Sequence, residues 1–181
     1  KWDITGSLAF TAAVFRLDRS NTRATDPLTG NAVLTGKSRT EGVELALVGR
    51  VTDGLDVSLG YALQDGEIRA TTTAAPAGRK LAQLPRHQAS AWARYNFTDR
   101  MGLGLGVVHQ SSQFATISNA VRLPAFTRID AAFYYDVSER LSLQVNVENL
   151  TDTGYYPSAH TDNNITVGEP LNAKVTLRLK F

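Results

Sequence analysis

A chain of 181 residues with 43% hydrophobic, 8% aromatic and 20% charged side chains has the size of one domain. No stretch of it approaches the ~20 apolar residues of a membrane helix, which excludes a helical membrane protein. A net charge of +2, with no basic run interleaved with aromatics, gives no ground for a nucleic-acid partner.

Alternation of apolar and polar residues predicts eight strands, at about 2–18, 38–51, 55–65, 84–97, 101–113, 123–137, 141–149 and 171–181. Lys1-Trp2-Asp3 opens the first directly, without a leader, so the chain reads as a processed product or a piece of something longer. In this first strand the apolar set drifts from Ile4, Leu8, Phe10 and Val14 to Phe15 and Leu17. Either a bulge or a misplaced boundary explains the drift. In the second, Val43, Leu45, Leu47 and Val51 oppose Glu44, Ala46 and Arg50; in the third, Leu55, Val57, Leu59, Tyr61 and Leu63 oppose Asp56, Ser58 and Gly60. The seventh is the cleanest, with Leu141, Leu143, Val145 and Val147 against Ser142, Gln144, Asn146 and Glu148. The last runs without a break to the final residue: Leu171, Ala173, Val175, Leu177, Leu179 and Phe181 lie on one face and Asn172, Lys174, Thr176, Arg178 and Lys180 on the other. A period of two puts these sets on opposite sides of a sheet, and ~9–11 residues is the length of a tilted strand that crosses a bilayer.

Three short polar turns, Thr52-Asp53-Gly54, Thr98-Asp99-Arg100 and Ser138-Glu139-Arg140, recur 46 and 40 residues apart. Between them lie long polar stretches at about 19–37, 66–83, 114–122 and 150–170. Short turns on one side and long loops on the other are the asymmetry of an outer-membrane barrel, with periplasmic turns and extracellular loops. The mean hydropathy of −0.18 agrees, because each lipid-facing apolar residue alternates with a polar one facing the lumen. The absence of Cys fits an envelope protein, and many cytosolic ones as well. Trp2, Tyr95, Phe97, Tyr134, Tyr135 and Phe181 gather toward the turn side, as an interfacial girdle would. The fold class expected is therefore all-β, an antiparallel transmembrane β-barrel.

Four stretches resemble a known family. Thr40-Glu41-Gly42-Val43-Glu44-Leu45 with Gly60-Tyr61; Leu84-Pro85-Arg86-His87 with Trp92 and Tyr95; Leu123-Pro124-Ala125-Phe126-Thr127-Arg128-Ile129-Asp130 with Tyr135; and Asn146-Val147-Glu148-Asn149-Leu150-Thr151-Asp152 with Tyr155-Tyr156 are similar to the C-terminal portion of TonB-dependent outer-membrane receptors. The Asn-Leu-x-Asp-x-x-Tyr run is the most specific. Tyr155-Tyr156-Pro157-Ser158-Ala159-His160, with Asp162-Asn163-Asn164-Ile165 and Gly168-Glu169-Pro170, looks most like the ferric-catecholate branch. Leu171-Asn172 stand where that family usually has Arg after Gly-x-Pro, a departure that weakens the choice of branch. A terminal aromatic such as Phe181 resembles the C-terminal signature of Gram-negative outer-membrane barrels, which the barrel-assembly machinery reads.

The resemblance implies about eight C-terminal strands, residues 1–181, of a larger 22-stranded barrel in the outer membrane of a Gram-negative bacterium, with the plug domain absent. It implies energy-coupled uptake of a ferric siderophore, and contact with the periplasmic energy transducer TonB through a region N-terminal to this chain. The siderophore is cargo; no cofactor is expected. Ferric chelates of this class are anionic and aromatic, so cationic and aromatic loop residues are the expected contacts: Arg69, Arg79, Lys80, Arg122, Tyr155 and Tyr156. No catalytic residue is expected, since no Ser lies in a nucleophile elbow, and no metal site, since His87, His109 and His160 have no ligand spacing. Two other readings compete. A complete eight-stranded barrel with a structural or adhesion role would be underpacked by the lumen glycines Gly60, Gly102, Gly104 and Gly106. A soluble β-sandwich binding module predicts solubility without detergent, and loops of this length are uncommon in such a compact domain.

Overall fold

The computed structural model describes residues 1–21, 23–25, 28–34, 36–71 and 76–181. Thr22, Asp26, Pro27 and Thr35 of the first expected loop and residues 72–75 of the second lie outside the described residues. The strands are β1 (Trp2–Thr5), β2 (Leu8–Ser20), β3 (Arg23–Thr25), β4 (Ala32–Leu34), β5 (Lys37–Thr52), β6 (Leu55–Ile68), β7 (His87–Asn96), β8 (Met101–Gln110), β9 (Gln113–Phe114), β10 (Arg122–Leu123), β11 (Phe126–Asp136), β12 (Leu141–Glu148), β13 (Ser158–Thr161), β14 (Asn164–Thr166) and β15 (Asn172–Leu179). Nine of them form one antiparallel sheet, in the order β1-β2-β5-β6-β7-β8-β11-β12-β15. The pairs β3-β4, β9-β10 and β13-β14 are small hairpins inside the long loops.

The expected first strand, 2–18, is two strands. The chain turns at Gly6-Ser7, and β1 pairs back on the start of β2, Trp2 opposite Phe10 and Thr5 opposite Leu8. That turn lies between Ile4 and Leu8, whereas the change from Val14 to Phe15 falls inside β2, which pairs with β5 without a shift, so Phe15 and Leu17 simply lie on the face opposite Val14. The Gly6-Ser7 turn is a fourth short turn on the same side as the other three. Gly49 makes it possible: its φ of +137° is closed to other residues, and any side chain there would strike the backbone of Ser7, whose carbonyl accepts a hydrogen bond from the Arg50 amide at 2.9 Å. β1 and β15 end the sheet and, among the described residues, do not pair with each other. The sheet is an open wall and not the closed eight-stranded barrel of the competing reading.

Register sorts the side chains into two faces. On β12 and β15, Leu143 faces Leu177 and Val145 faces Val175, while Gln144 faces Thr176 and Asn146 faces Lys174. The apolar face is laid open, with Leu103, Leu105, Val175, Leu177 and Leu179 each more than half exposed. On β6 its members Leu55, Val57, Leu59, Tyr61 and Leu63 cover eight residue steps. At ~3.4 Å per step and a tilt of ~40° that is roughly 20 Å across the bilayer, close to the ~25 Å apolar band of a membrane barrel.

The polar face is filled from one strand. Trp92 of β7 lies flat over β8, where a methyl group at Gly106 would come within 2.6 Å of the indole, and Gly104 is covered by the same ring. Arg94 stacks 4.1 Å from the ring centre of Tyr134 and donates from Nε to Asn96 Oδ1 at 3.0 Å. Two of the four glycines that would leave a narrow barrel underpacked, Gly104 and Gly106, are thus the bed of a tryptophan, while Gly102 faces Asn96 and Gly60 faces Ser90. Tyr134, expected in the girdle, belongs to this lumen row, whereas Trp2, Tyr95 and Phe97 are exposed near the turns. Among the lumen charges Arg50 pairs with Asp56 at 3.5 Å.

An Arg placed at Leu143 should therefore cost ~2–4 kcal/mol in a folding titration of the membrane-inserted receptor, and an Arg at the adjacent Gln144 clearly less. Equal losses at the two positions would remove the two-faced wall.

Candidate functional site

A single sheet with lipid on one side has no core of its own, and the buried apolar side chains lie almost entirely at the loop end. Ile68, Ala115, Ile117, Leu123, Tyr155 and Ala159 are there; among the described residues only Ala132 belongs to the wall away from that end. Ile68 and Ile117 pack with Val33, Leu81 and Ala82, and Ala115, Leu123 and Ala159 pack with Val121 and Ile165. All four long loops contribute, so together they form one cap. Burying Ile68, Ile117 and Leu123 contributes ~1.5–3 kcal/mol each.

Polar ties stitch the cap together. The side-chain amide of Gln83 donates to the Ala159 carbonyl at 2.7 Å, and that of Gln113 to the Pro157 carbonyl at 3.0 Å. Asp162 accepts the hydroxyls of Thr116 and Ser118 at 2.9 and 2.7 Å. Asn119, with φ of +55°, accepts the Lys80 amide at 2.8 Å and donates back to the Lys80 carbonyl at 2.9 Å. Each tie joins different loops, and an unmade partner so far from water would cost more than the bond itself gains.

The base of the 150–170 loop is a clamp built from two of the motifs. Asn149, 1% exposed, takes the left-handed conformation at φ +54° and turns the chain out of β12. Its side-chain amide donates to the carbonyls of Thr153 and Glu169, both at 3.0 Å, and its side-chain oxygen accepts the Thr153 amide at 2.9 Å. One side chain thereby ties the outgoing and returning arms of the loop. Asp152, at φ +49°, repeats the device by accepting the Leu171 amide at 2.9 Å. Asn and Asp tolerate this region because their short side chains bond the local backbone, which is the physical content of the Asn-Leu-x-Asp pattern.

Asp130 of β11 supports the clamp from below. It accepts the Asn149 amide at 2.8 Å and the Arg128 guanidinium at 2.8 Å, and Arg128 also donates to the Tyr155 hydroxyl at 3.0 Å. The Tyr155 ring stacks 4.7 Å from Phe126 and rests on Gly168, where any side chain would collide with it. The two motifs, far apart in sequence, are halves of one interlock.

The six expected contact residues do not form one cluster. Tyr155 is 6% exposed and belongs to the interlock. Arg79 donates to the Ile117 carbonyl at 3.3 Å within the cap. Lys80 turns to the apolar-side face of β6, bonding Asp65 at 2.7 Å, and Arg69 pairs with Glu67 on that same face. Arg122 on β10 and Tyr156, 41% exposed, stand open at the cap surface, without a side-chain partner among the described residues. Sequence reasoning passed over Gln83, Gln113 and Asn119, and quoted Asp162 only as part of a family stretch, without a role. A helical or strand period carries no signal for a loop side chain that bonds another loop's backbone. His87 bonds Tyr61 at 2.8 Å and His109 bonds Thr127 at 2.9 Å, both on the lipid-side face.

A tall antiparallel wall with an apolar outer face, a polar inner face and a cap of packed loops at one end defines a segment of an outer-membrane barrel. The family model described as TonB dependent receptor-like, beta-barrel matches residues 1–150, and the chain belongs to that family of transport receptors. It is 30% identical over its whole length to a probable TonB-dependent siderophore receptor, PiuA, of Acinetobacter baumannii, covering 26% of that protein. It is 32% identical over its whole length to the catecholate siderophore receptor Fiu of Escherichia coli K12, covering 25% of it. The crystal structure of the Acinetobacter receptor superposes with a TM-score of 0.83 at 28% identity, over 97% of this chain and 26% of that one. The closed form of the Escherichia coli receptor gives 0.80 at 29% identity, over 99% and 26%. The chain thus spans about a quarter of the length of these relatives.

Gly168→Ala should force the Tyr155 ring aside at a cost of ~1–3 kcal/mol and raise the rate of limited proteolysis within 150–170. Gly154→Ala, at a position with nothing within 4 Å, should leave that rate unchanged. Equal behaviour of the two variants would show that the interlock does not hold the loop.

Proposed function

We propose that residues 1–181 are the C-terminal part of the barrel of an outer-membrane receptor that takes up a ferric siderophore, of catecholate type, by energy coupling. The observation that carries this reading is the cap: loops drawn together over a polar lumen row, in a chain whose relatives include a catecholate siderophore receptor over its full length. In this reading a plug domain and a contact region for TonB belong to the remainder of the receptor. Phe181, fully exposed beyond the end of β15, serves the barrel-assembly machinery.

The cap divides the expected contact residues by role. Arg122 and Tyr156 present a cation and an aromatic ring to an anionic, aromatic chelate. Arg79 and Tyr155 hold the loops that present them.

The test uses the full-length receptor. Arg122→Gln and Tyr156→Ala should each weaken binding of a ferric catecholate by about five- to thirtyfold, in line with ~1–2 kcal/mol per contact. A hydroxamate chelate should compete poorly against the wild-type receptor. Uptake of labelled iron from the catecholate should fall in parallel. Unaltered affinity in both variants, or equal uptake from both chelate types, would contradict the proposal.

A further inference from the structure

Cations on the lumen face are not all answered by acids. Arg128 is held by Asp130 at 2.8 Å and Arg50 by Asp56 at 3.5 Å. At the turn end between β7 and β15 this matching stops. Register puts Tyr134, Gln144 and Thr176 in one lumen row and Asp136, Ser142 and Arg178 in the next row toward the turns. Ladder bonds from the Asp136 amide to the Arg100 carbonyl at 2.8 Å, and from the Lys180 amide to the Arg140 carbonyl at 2.9 Å, bring Arg100, Arg140 and Lys180 to the same end. Among the described residues, none of Arg94, Arg100, Arg140, Arg178 and Lys180 takes part in an ion pair.

These side chains surround one continuous space. Arg94 and Arg178 border a recess of about 150 Å³ together with Tyr134, Gln144 and Thr176. A second recess, of about 300 Å³, shares Asp136 and Ser142 with the first and runs to the two turns past Arg100, Arg140 and Lys180. The two carry five cations against three carboxylates, Asp99, Asp136 and Glu139. Exposed charges on turns are ordinary, but Arg94 is not on a turn. It is half-buried, donates from Nε to Asn96 Oδ1 and lies 4.1 Å from the ring centre of Tyr134, so a cation and an aromatic face are held together inside the wall. An anionic, aromatic group is the ligand that this surface fits, by charge and by stacking.

We infer that Arg94, Arg178 and Lys180, with the Tyr134 ring, form a second binding station for the anionic iron chelate at the turn end of the lumen, where the cargo leaves the barrel. The inference rests on the uptake reading above, which supplies an anionic, aromatic cargo. It adds a site at the opposite end of the wall from Arg122 and Tyr156. Excess positive charge along the wall raises the local concentration of such an anion. Exposed cations hold it only weakly, because water and salt screen them, and a station that cargo must leave needs weak, shared contacts.

The test uses the full-length receptor in nanodiscs, with the ferric tris-catechol complex as the probe. One fluorescent dye is attached to a cysteine placed at Ser142, between the two recesses, and in a separate preparation another to a cysteine placed at Ala120, on the cap. The coloured complex should quench both dyes in a saturable way, with the lower affinity at Ser142. In Arg178→Gln/Lys180→Gln the affinity read at Ser142 should fall about tenfold, the loss of two exposed charge contacts, while that read at Ala120 stays as in the wild type. Arg178→Lys, which keeps the charge, and Arg50→Gln, whose charge Asp56 already answers, should quench like the wild type. In cells the double variant should lower the maximal uptake rate and leave the half-saturating chelate concentration unchanged. Saturable quenching at Ala120 with none at Ser142, or equal affinity at Ser142 in the wild type and the double variant, would overturn the station alone. So would vancomycin sensitivity gained by cells carrying the double variant, which would assign these cations to holding another part of the receptor in the lumen. No quenching at Ala120 would remove the uptake reading, and the station with it.

Discussion

A strand inside hydrocarbon has no water to satisfy its amides and carbonyls, and each group left unpaired costs several kcal/mol. The unbroken ladder from β2 to β15 answers that requirement, and the rest of the structure depends on it. Antiparallel pairing without slips holds the period of two across eight strands, so the rows between the turns and the upper strand ends present a largely apolar face on one side and a largely polar one on the other. The Thr5-Gly6-Ser7 turn and the shifts near Thr52 and Asp3 fall at the turn side, where water relieves the demand. The same requirement leaves the two edges incomplete. The outer edge of β2 over residues 11–20 and the outer edge of β15 carry no ladder among the described residues, and partner strands from the proposed remainder of the barrel would supply it.

The wall keeps its order through backbone pairing, and the loops keep theirs through side chains. A barrel segment offers nowhere to bury a large side chain except over its own end. There Ile68, Ile117 and Leu123 form the only dense apolar packing among the described residues. The cap is in effect a small folded domain whose foundation is the Asn149-Asp130-Arg128-Tyr155 interlock. Its polar ties are largely side chain to backbone, which gives each loop a defined position against its neighbours and leaves Arg122 and Tyr156 exposed at the cap surface, where the proposed ligand contacts would be made. Rigid presentation of few contacts lowers the ordering cost of binding.

Most of the wall was legible in the sequence because alternation is a strong signal where one face meets lipid. The strand Leu141–Glu148 matches its expected span to within a residue, and the three polar turns stand where their composition puts them. The first strand misled because Gly6-Ser7 is a turn only in the context of Gly49, more than forty residues away, whose positive φ makes room for it. The hairpins β3-β4, β9-β10 and β13-β14 were invisible, since two- to four-residue strands carry no period. Of the site, the family motifs contained Asn149, Asp152 and Tyr155, whereas the turn and clamp that their side chains build carry no signal in the sequence. Lys80 looked like a vestibule cation and is held on the outer face by Asp65, a pairing that only register reveals.

The account's central claim is a two-faced wall in a membrane, and residues 1–181, which contain no Cys, add no competing thiol of their own to a labelling test of it. Single cysteines placed at each position from 141 to 148 of the full-length receptor in lipid vesicles can carry a spin label, read for collisions with apolar oxygen and with a water-soluble nickel chelate. The account predicts alternation at every step: oxygen-accessible at Leu141, Leu143, Val145 and Val147, and oxygen-shielded at Ser142, Gln144, Asn146 and Glu148. Accessibility that varies smoothly along the strand, or chelate access equal on both faces, would contradict it.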